Sequence, residues 1–223
     1  MARSVVLRPQ PRCGRCQLPH RWCVCAGVRA IATPLQVDIL MHHREQWRPS
    51  STGHLVQRTI VGARTHIWRR ERGMTADEVR VAGRELWILQ PNGAPMPPAI
   101  APETVQVLLI DGAWKEASTM AREIRAWGRP VRLAMAGESR YWLRSQQDGG
   151  RFSTVEALIF LLRTLGQTEA AEALQLQLEL HVYAGLRARG SKTLAEEFLA
   201  TSPIATAFPE LVAQLNVSRP RID

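Results

Sequence analysis

Residues 105–117 read VQVLLIDGAWKEA, and this stretch decides the predicted fold class. The apolar run at 105–110 is too short for a helix and is typical of a strand buried on both faces, as in a parallel sheet. Apolar residues with helical spacing follow at 114–127. We therefore predict an α/β fold in which a central strand ends at Asp111 and leads into a helix.

Asp111 itself has two interpretations. An acid at the carboxyl end of a central strand, just before a helix, lies where open α/β sheets bind their ligands. Aspartate is also a favoured N-cap residue, so Asp111 could simply begin the helix. The stretch alone leaves both open.

The size and composition indicate one main domain. With 223 residues and 45% hydrophobic residues, the chain can bury one sizeable core. We predict a basic tail with a small cysteine module at 1–30 and a larger domain at 31–223. No segment approaches the roughly 20 apolar residues that span a membrane. The first residues lack the apolar run of a signal peptide, so we expect a cytoplasmic protein.

The net charge of +9 arises from 29 Lys and Arg residues against 20 Asp and Glu residues. Most of the basic residues are arginines, which suit bidentate phosphate contacts and stacking on bases. The charge is therefore compatible with a polyanionic partner such as RNA. A general arginine bias from GC-rich DNA is the alternative explanation.

All four cysteines lie close together, at Cys13, Cys16, Cys23 and Cys25. A C-x-x-C pair followed by a C-x-C pair offers four thiolates to one tetrahedral Zn²⁺ ion. Disulfides are the alternative, but they are rare in the cytosol. We predict a structural zinc site without an open coordination position.

The remaining elements follow from apolar periodicity and capping signals. Ser153 and Glu156 have the spacing of a capping box at the start of a helix. Ser51 or Thr52 can cap another helix, whose N-terminus together with Arg48 would suit an anion. Further strands are predicted at 35–41, 85–89 and 130–136, and helices at 155–165 and 169–187. A loop with short elements is predicted at 64–84, and a linker or exposed loop at 91–103.

Residues 140–144 combine arginines with aromatic residues. Arg140, Trp142 and Arg144 suit stacking on bases and pairing with phosphates. Alternatively, Trp142 anchors a surface loop to the core. The chain contains no G-x-G-x-x-G, P-loop, G-x-S-x-G or H-E-x-x-H motif, which excludes the simplest dehydrogenases, NTPases, hydrolases and metalloproteases.

Five blocks of the sequence resemble the DTW-domain family. They are Cys13-x-x-Cys16-x-x-Pro19 with Cys23-x-Cys25, His42-x-x-Glu45-x-x-Arg48-Pro49-Ser50-Ser51-Thr52-Gly53, Asp111-Gly112-Ala113-Trp114, Tyr141-x-x-Arg144, and Ser153-Thr154-x-Glu156-Ala157. Two positions depart from the family pattern. Ala113 stands where the family has the Thr of its name, and Ser51 stands where Asn is usual.

The resemblance implies a tRNA-uridine aminocarboxypropyltransferase. Such enzymes move the 3-amino-3-carboxypropyl group of S-adenosylmethionine (SAM) to N3 of a tRNA uridine and release methylthioadenosine. The resemblance also implies a SPOUT-like, mostly parallel sheet with flanking helices that is knotted around the cofactor site. The expected partner is tRNA, and a homodimer is compatible with this family.

The resemblance and the residue chemistry together give the site assignments. The catalytic residues are predicted to be Asp111 and Trp114, with Asp111 accepting or orienting the N3 proton. SAM is predicted to contact Arg48, Ser51, Thr52, Gly53, Asp111, Gly112, Ser153, Thr154 and Glu156. RNA is predicted to contact His42, Glu45, Arg140, Trp142 and Arg144. Zinc is predicted to bind Cys13, Cys16, Cys23 and Cys25.

Two other functions remain open at this point. The same SAM site could transfer the methyl group, which would release S-adenosylhomocysteine. Ala113 is compatible with a zinc-containing RNA-binding protein that has altered catalysis. Retention of Asp111, Trp114 and Arg48 favours the transferase.

Overall fold

A five-stranded parallel sheet forms the centre of the computed structural model, which describes residues 11–98, 100–144 and 152–217. The strand order is β2-β1-β4-β3-β5. The strands are β1 (Gln36–His42), β2 (Arg64–Trp68), β3 (Glu85–Pro95), β4 (Val105–Asp111) and β5 (Arg129–Arg132). The predicted α/β class with a parallel sheet is confirmed.

Helices cover both faces of this sheet. One core joins the sheet to α1, α3 and α4, and a second core joins it to α2. Among the described residues, no helix combines the length and the apolar character needed to cross a bilayer. The helices are α1 (Gly53–Thr59), α2 (Trp114–Glu123), α3 (Thr154–Thr164), α4 (Thr168–Ala188), α5 (Lys192–Ala200), α6 (Ile204–Ala207) and α7 (Pro209–Asn216).

Strand β4 explains why the sheet needs two helical layers. Val107 and Leu109 belong to the core shared with α1, α3 and α4, whereas Leu108 packs in the core that contains Met120 and Ile124. Successive side chains of a strand point to opposite faces. Each fully buried side chain of this kind contributes roughly 1.5–3 kcal/mol, so both faces must be covered.

The connections of the sheet diverge between β1 and β4. These strands are neighbours, but the chain runs from β1 to β2 on one side and from β4 to β5 on the other. Such a switch in direction opens a crevice outside the carboxyl ends of the two strands. His42 and Asp111, the last residues of β1 and β4, lie at this edge.

Several predicted bounds differ from the structure, and the strand predicted at 130–136 ends at Arg132. The segment at 64–84, predicted as a loop with short elements, contains β2. In this edge strand Trp68 is the one buried residue, so the apolar signal was too weak to identify a strand. Strand β3 extends to Pro95 because 94–95 pair with β5 after an irregularity. Helix α2 ends at Glu123 rather than near 127, since Trp127 donates its backbone N–H to the Ile124 carbonyl in a following turn.

A buried polar network ties β1, β2 and β4 together on the face of α2. Asp38 is fully buried and accepts hydrogen bonds from Arg64 Nε (2.7 Å), from His66 Nε2 (2.8 Å) and from Gln106 Nε2 (2.8 Å). Arg64 Nη2 and Gln106 Nε2 also donate to the Val79 carbonyl. These hydrogen bonds compensate the carboxylate for its loss of solvent. The partners in turn need the carboxylate as the acceptor of their hydrogen bonds.

We expect Asp38→Asn to lower the free energy of unfolding by about 2–4 kcal/mol in urea at pH 7, because it leaves buried donors and Arg64 without their anion. Burial raises the pKa of Asp38, but hydrogen bonds from His66 and Arg64 outweigh it and lower the pKa below its usual value. The contribution is therefore present above about pH 4 and is lost at lower pH.

The matched control is Glu85→Gln. Glu85 pairs with Arg129 at 3.6 Å, and both side chains are about half exposed. Its loss should change the free energy of unfolding by less than about 1 kcal/mol. Equal effects of the two substitutions at pH 7 would show that the Asp38 network does not stabilise the sheet.

Candidate functional site

Asp111 is held at the carboxyl end of β4 by two hydroxyl groups. Ser51 Oγ donates to Asp111 Oδ2 at 2.6 Å, and Thr154 Oγ1 donates to Asp111 Oδ1 at 2.9 Å. Asp111 as a whole is 3% exposed to solvent. Because Ser51 precedes α1 and Thr154 begins α3, this one side chain joins three separate segments. Asp111 does not cap α2, whose N-cap position is Ala113.

Gly53 lets the loop before α1 approach Asp111 closely. A Cβ atom at this position would lie 2.8 Å from Asp111 Oδ2 and 3.0 Å from Met41 Cε. Contacts this short require one of the groups to move. The Ser51–Asp111 hydrogen bond therefore depends on the absence of a side chain at Gly53.

Asp111 forms part of the wall of a cleft of about 1180 Å³ at the carboxyl edge of the sheet. Residues of β3, β4 and β5, one side of α2, the start of α3, the segment after β5 and residues around the end of α4 line it. Among the predicted site residues, those that border the cleft are Thr52, Asp111, Gly112, Trp114, Trp142, Arg144, Ser153 and Thr154.

Glu45 forms a buried ion-pair cluster close to Asp111. Glu45 is fully buried and accepts from Arg48 Nη1 at 2.6 Å and from Arg144 Nη2 at 3.1 Å. Burial raises the pKa of Glu45, the charge of Asp111 adds to this rise, and the two arginines oppose it. The positive charges of Arg48 and Arg144 thus offset the repulsion between the carboxylates of Glu45 and Asp111. Arg144 also borders the cleft.

His42 lies at the end of β1 beside the first turn of α2. Its Nδ1 atom accepts the backbone N–H of Arg44 at 3.3 Å and lies 3.7 Å from Glu116 Oε2. Burial lowers the pKa of His42, although the charge of Glu116 opposes this. The ring is therefore neutral near pH 7, with its proton on Nε2.

The backbone N–H groups at the start of α3 have hydrogen-bond partners both within the helix and in the loop before α1. Ser153 and Glu156 form the predicted capping box, with the Ser153 N–H donating to Glu156 Oε2 at 2.7 Å. Glu156 also accepts from Ser139 Oγ at 2.9 Å and from the Arg140 N–H at 2.8 Å. The Val155 N–H donates to Thr52 Oγ1 at 3.4 Å. Glu156 therefore fixes the loop that forms one wall of the cleft.

Two of the residues predicted to contact RNA make internal contacts. Arg140 Nη2 pairs with Glu179 at 3.2 Å, and its guanidinium lies 4.1 Å from the centre of the Phe198 ring. Trp142 packs edge-on against the same ring, with centroids 5.1 Å apart. The nearby Tyr141 donates its hydroxyl to the Ser50 carbonyl, and burial raises its pKa to about 12. RNA contact by Arg140 and Trp142 stays a prediction.

The four cysteines form a compact cluster without disulfides. Cys13 Sγ lies 3.7 Å from Cys25 Sγ, Cys16 Sγ lies 3.7 Å from Cys23 Sγ, and all four sulfurs lie within 4.8 Å of one another. Four sulfurs about 2.3 Å from a tetrahedral metal ion would be separated by about 3.8 Å. The cluster therefore fits a single metal ion such as zinc.

The thiol pKa values indicate what a metal ion would change. Burial raises the pKa of Cys25, and the charge of Cys16 raises it further. Burial also acts on Cys13, but backbone N–H groups of Cys16 and Arg15 donate to its sulfur and lower its pKa to about 6. Four thiolates in this space repel one another unless a divalent cation compensates their charge.

Sequence reasoning missed two residues of the site. Glu116 carries a recognisable signal, because it stands three residues after Ala113, as an N3 residue follows an N-cap. Its Oε2 atom accepts the Ala113 N–H at 3.1 Å. Ser139 carries no local signal, because its partner Glu156 lies 17 residues further along the chain.

Comparison with known families identifies the family of the chain. The family model described as DTW domain matches residues 10–184, which is more than half of the chain. The chain therefore belongs to the DTW-domain family, and the resemblance inferred from its sequence blocks is confirmed. This family is associated with tRNA-modifying transferases. No solved structure matches the chain.

The position of Ala113 shows what a threonine would do there, because residue 113 is the N-cap of α2. Ala113 has the extended backbone of an N-cap residue (φ −62°, ψ 153°) and lacks a side-chain oxygen for the first turn of α2. We expect Ala113→Thr to raise the free energy of unfolding by about 0.5–1 kcal/mol in urea, because its hydroxyl would accept an N–H of this turn.

Ala113→Val is the control, since valine has the shape of threonine without the hydroxyl group. It should give none of this gain. Equal stability of the Thr and Val variants would mean that position 113 does not act as a helix cap.

Proposed function

We propose that the protein is a SAM-dependent tRNA-uridine aminocarboxypropyltransferase with its active centre at Asp111. The observation that carries the proposal is a carboxyl group, fixed by Ser51 and Thr154, in the wall of a large cleft at the switch in strand direction. Membership in a family associated with tRNA-modifying transferases supports the same conclusion. The SPOUT-like class and the knotted chain path belong to this proposal.

The size and lining of the cleft support two ligands. Pockets for one drug-sized molecule enclose roughly 300–1,000 Å³, whereas this cleft encloses about 1180 Å³. Its volume is sufficient for SAM together with one nucleoside. Leu89, Val131 and Leu133 offer an apolar wall for adenine, and Asp111 with Thr154 offers a polar wall for the amino-acid part.

Charge complementarity supports one orientation of the amino-acid part. Its carboxylate requires a cation. We assign this role to Arg144, predicted above to contact RNA, because it borders the cleft while its Nη2 atom pairs with Glu45. Its ammonium group and the sulfonium both favour proximity to an acid, which Asp111 supplies. Orienting the chain in this way selects which carbon next to sulfur reacts.

The transfer reaction requires one group that accepts a proton, in addition to SAM and the uridine. SAM supplies an electrophilic carbon: the N3–C bond forms, the C–S bond breaks, and the sulfur keeps its electron pair in neutral methylthioadenosine. The N3–H proton of uridine must leave for this displacement to occur. In this proposal Asp111 accepts or orients the proton, and the hydroxyls of Ser51 and Thr154 hold its carboxyl group in place.

An exposed part of the segment after β1 supports contact with tRNA. Trp47 is 69% exposed and stands between Arg44 and Arg48, whose side chains are 66% and 47% exposed. Indole and guanidinium groups stack on bases and contact phosphates. The buried side chain of Glu45 anchors this segment through its ion pair with Arg48. We assign a tRNA-contacting surface here, in addition to the predicted residues.

We also assign zinc to the four-cysteine cluster. Four thiolates in tetrahedral spacing suit zinc, and a site filled by protein ligands has a structural role. Cys13, Cys16, Cys23 and Cys25 would hold the metal, and it would take no part in the transfer. The zinc module would then help to position the folded tRNA.

A reaction of the purified full-length protein with SAM and a pool of unmodified tRNA transcripts tests the proposal. Mass spectrometry would identify both the modified nucleoside and the small-molecule product. We expect aminocarboxypropyl-uridine and methylthioadenosine. Asp111→Asn should lower turnover by at least about 100-fold, because it removes the proton acceptor.

Asp77→Asn is the matched control, because Asp77 is exposed and undergoes the same change of charge. It should leave turnover unchanged. A methylated nucleoside together with S-adenosylhomocysteine would contradict transfer of the aminocarboxypropyl group and indicate a methyltransferase. tRNA binding without any turnover would indicate an RNA-binding protein instead.

A further inference from the structure

Three consecutive residues of the loop before α1 are each held by a different part of the fold. The Pro49 carbonyl accepts from His181 Nε2 of α4 at 2.8 Å, and the Ser50 carbonyl accepts from the Tyr141 hydroxyl. The next residue, Ser51, donates its hydroxyl to the proposed catalytic carboxyl group at 2.6 Å. Because planar peptide units hold adjacent Cα atoms about 3.8 Å apart, the first two contacts limit where the Ser51 hydroxyl can lie.

Arg58 of α1 decides which nitrogen of His181 carries the proton. Arg58 Nη2 lies 3.1 Å from His181 Nδ1, and a guanidinium can only donate a hydrogen bond. Nδ1 is therefore the unprotonated acceptor, which leaves the proton on Nε2. Burial lowers the pKa of His181 to about 3, so the ring is neutral. In this tautomer the Nε2–H group faces the Pro49 carbonyl, whereas the other tautomer would place two acceptors against each other.

The hydrogen bonds of Arg58 do not explain its presence by stability. Its Nε and Nη1 atoms are shut off from solvent and have no hydrogen-bond partner in the part of the chain that the structure describes. Buried donors without partners destabilise a fold. The bond from Nη2 to His181 is therefore the contact that gives Arg58 a role.

Tyr141 supplies the second anchor from the segment after β5. Tyr141 is 5% exposed, and burial raises its pKa to about 12, so its hydroxyl stays a donor near neutral pH. The guanidinium carbon of Arg144 lies 6.0 Å from the centre of the Tyr141 ring, and Arg144 also pairs with Glu45. This anchor thus joins the loop before α1 to the segment that forms one wall of the cleft.

We infer that the active centre is positioned by Arg58, His181 and Tyr141, which hold the loop before α1 in place. This loop fixes the Ser51 hydroxyl, which in turn orients the carboxyl group of Asp111. The three residues are positioning residues, because they act through the loop and not on the reacting atoms. The inference rests on the proposed function, since it concerns the orientation of the proposed proton acceptor.

The first test separates turnover from substrate binding and from stability. Tyr141→Phe removes the hydroxyl and keeps the ring, and Arg58→Met removes the donor to His181. Each should lower kcat by about 10–100-fold, because a catalytic group misplaced by about 1 Å reacts far more slowly. The KM for SAM should change by less than about 3-fold, since the apolar cleft wall is untouched. The midpoint of urea unfolding of Arg58→Met should stay near that of wild type, because unpaired buried donors are also removed.

Tyr183→Phe is the matched control for Tyr141→Phe, because Tyr183 is also buried and donates its hydroxyl to a side chain of α7. Arg72→Met is the control for Arg58→Met, because the Arg72 side chain is 58% exposed. Both controls should have the kcat of wild type. Wild-type kcat in Tyr141→Phe or Arg58→Met would overturn the role of the residue changed. So would a fall in kcat that its control shares, or one that accompanies a lower unfolding midpoint in Arg58→Met.

The second test compares two substitutions at His181. Glutamine keeps an N–H group for the Pro49 carbonyl and an oxygen that accepts from Arg58, whereas leucine keeps neither. We expect His181→Gln to retain at least about a third of the wild-type kcat and His181→Leu to lose about 10–100-fold. Equal losses in the two variants would overturn the role of the hydrogen bonds made by His181.

The third test requires neither SAM nor tRNA. Hydrogen exchange of peptides covering 50–53 is compared between wild type, Tyr141→Phe and His181→Leu, with residues 85–89 of β3 as the internal reference. We expect exchange at 50–53 to be at least about 10-fold faster in both variants, because the loop opens locally, and the reference to be unchanged. Exchange at the wild-type rate would overturn the inference.

Failure of the inference is distinguishable from failure of the proposed function. Faster exchange at 50–53 in a protein that transfers no group would support the anchoring of the loop and refute the transferase alone. Aminocarboxypropyl transfer by wild type, with unchanged exchange and unchanged kcat in the variants, would overturn the positioning role and leave the transferase intact.

Discussion

The hydrogen bonds from Ser51 and Thr154 to Asp111 are the interactions on which the site depends. They bring the loop before α1, the end of β4 and the start of α3 to one point, where the strand connections diverge. The close approach at Gly53 allows this arrangement, and the ion pairs of Glu45 support the adjacent segment. The fold thus positions an acid through hydrogen bonds from two segments that are distant in the chain.

Much of the fold could be predicted from the sequence, because its central elements carry strong local signals. The run at 105–110 alternates between two buried faces, and Ser153 with Glu156 defines the beginning of α3. Strand β2 escaped prediction because an edge strand with mostly half-buried residues resembles a polar loop. Its place is set by pairing with β1, which no local pattern encodes.

The candidate site was predictable as a set of residue blocks, but its contacts were not. The pairing of Glu45 with Arg144 spans 99 residues and that of Arg140 with Glu179 spans 39 residues, so neither follows from spacing. Glu45 was predicted to contact RNA and is fully buried. Ala113 is compatible with altered catalysis, and the structure shows in addition that it occupies the N-cap position of α2, where it supplies no side-chain oxygen.

A crystal structure of the protein with SAM tests the central claim most directly. The account predicts that the adenosyl group occupies the cleft, that the sulfonium and the aminocarboxypropyl chain face Asp111, and that the chain carboxylate pairs with Arg144. Electron density for SAM outside this cleft would contradict the account. So would a bound orientation in which the methyl group, rather than the aminocarboxypropyl chain, faces the space beside Asp111.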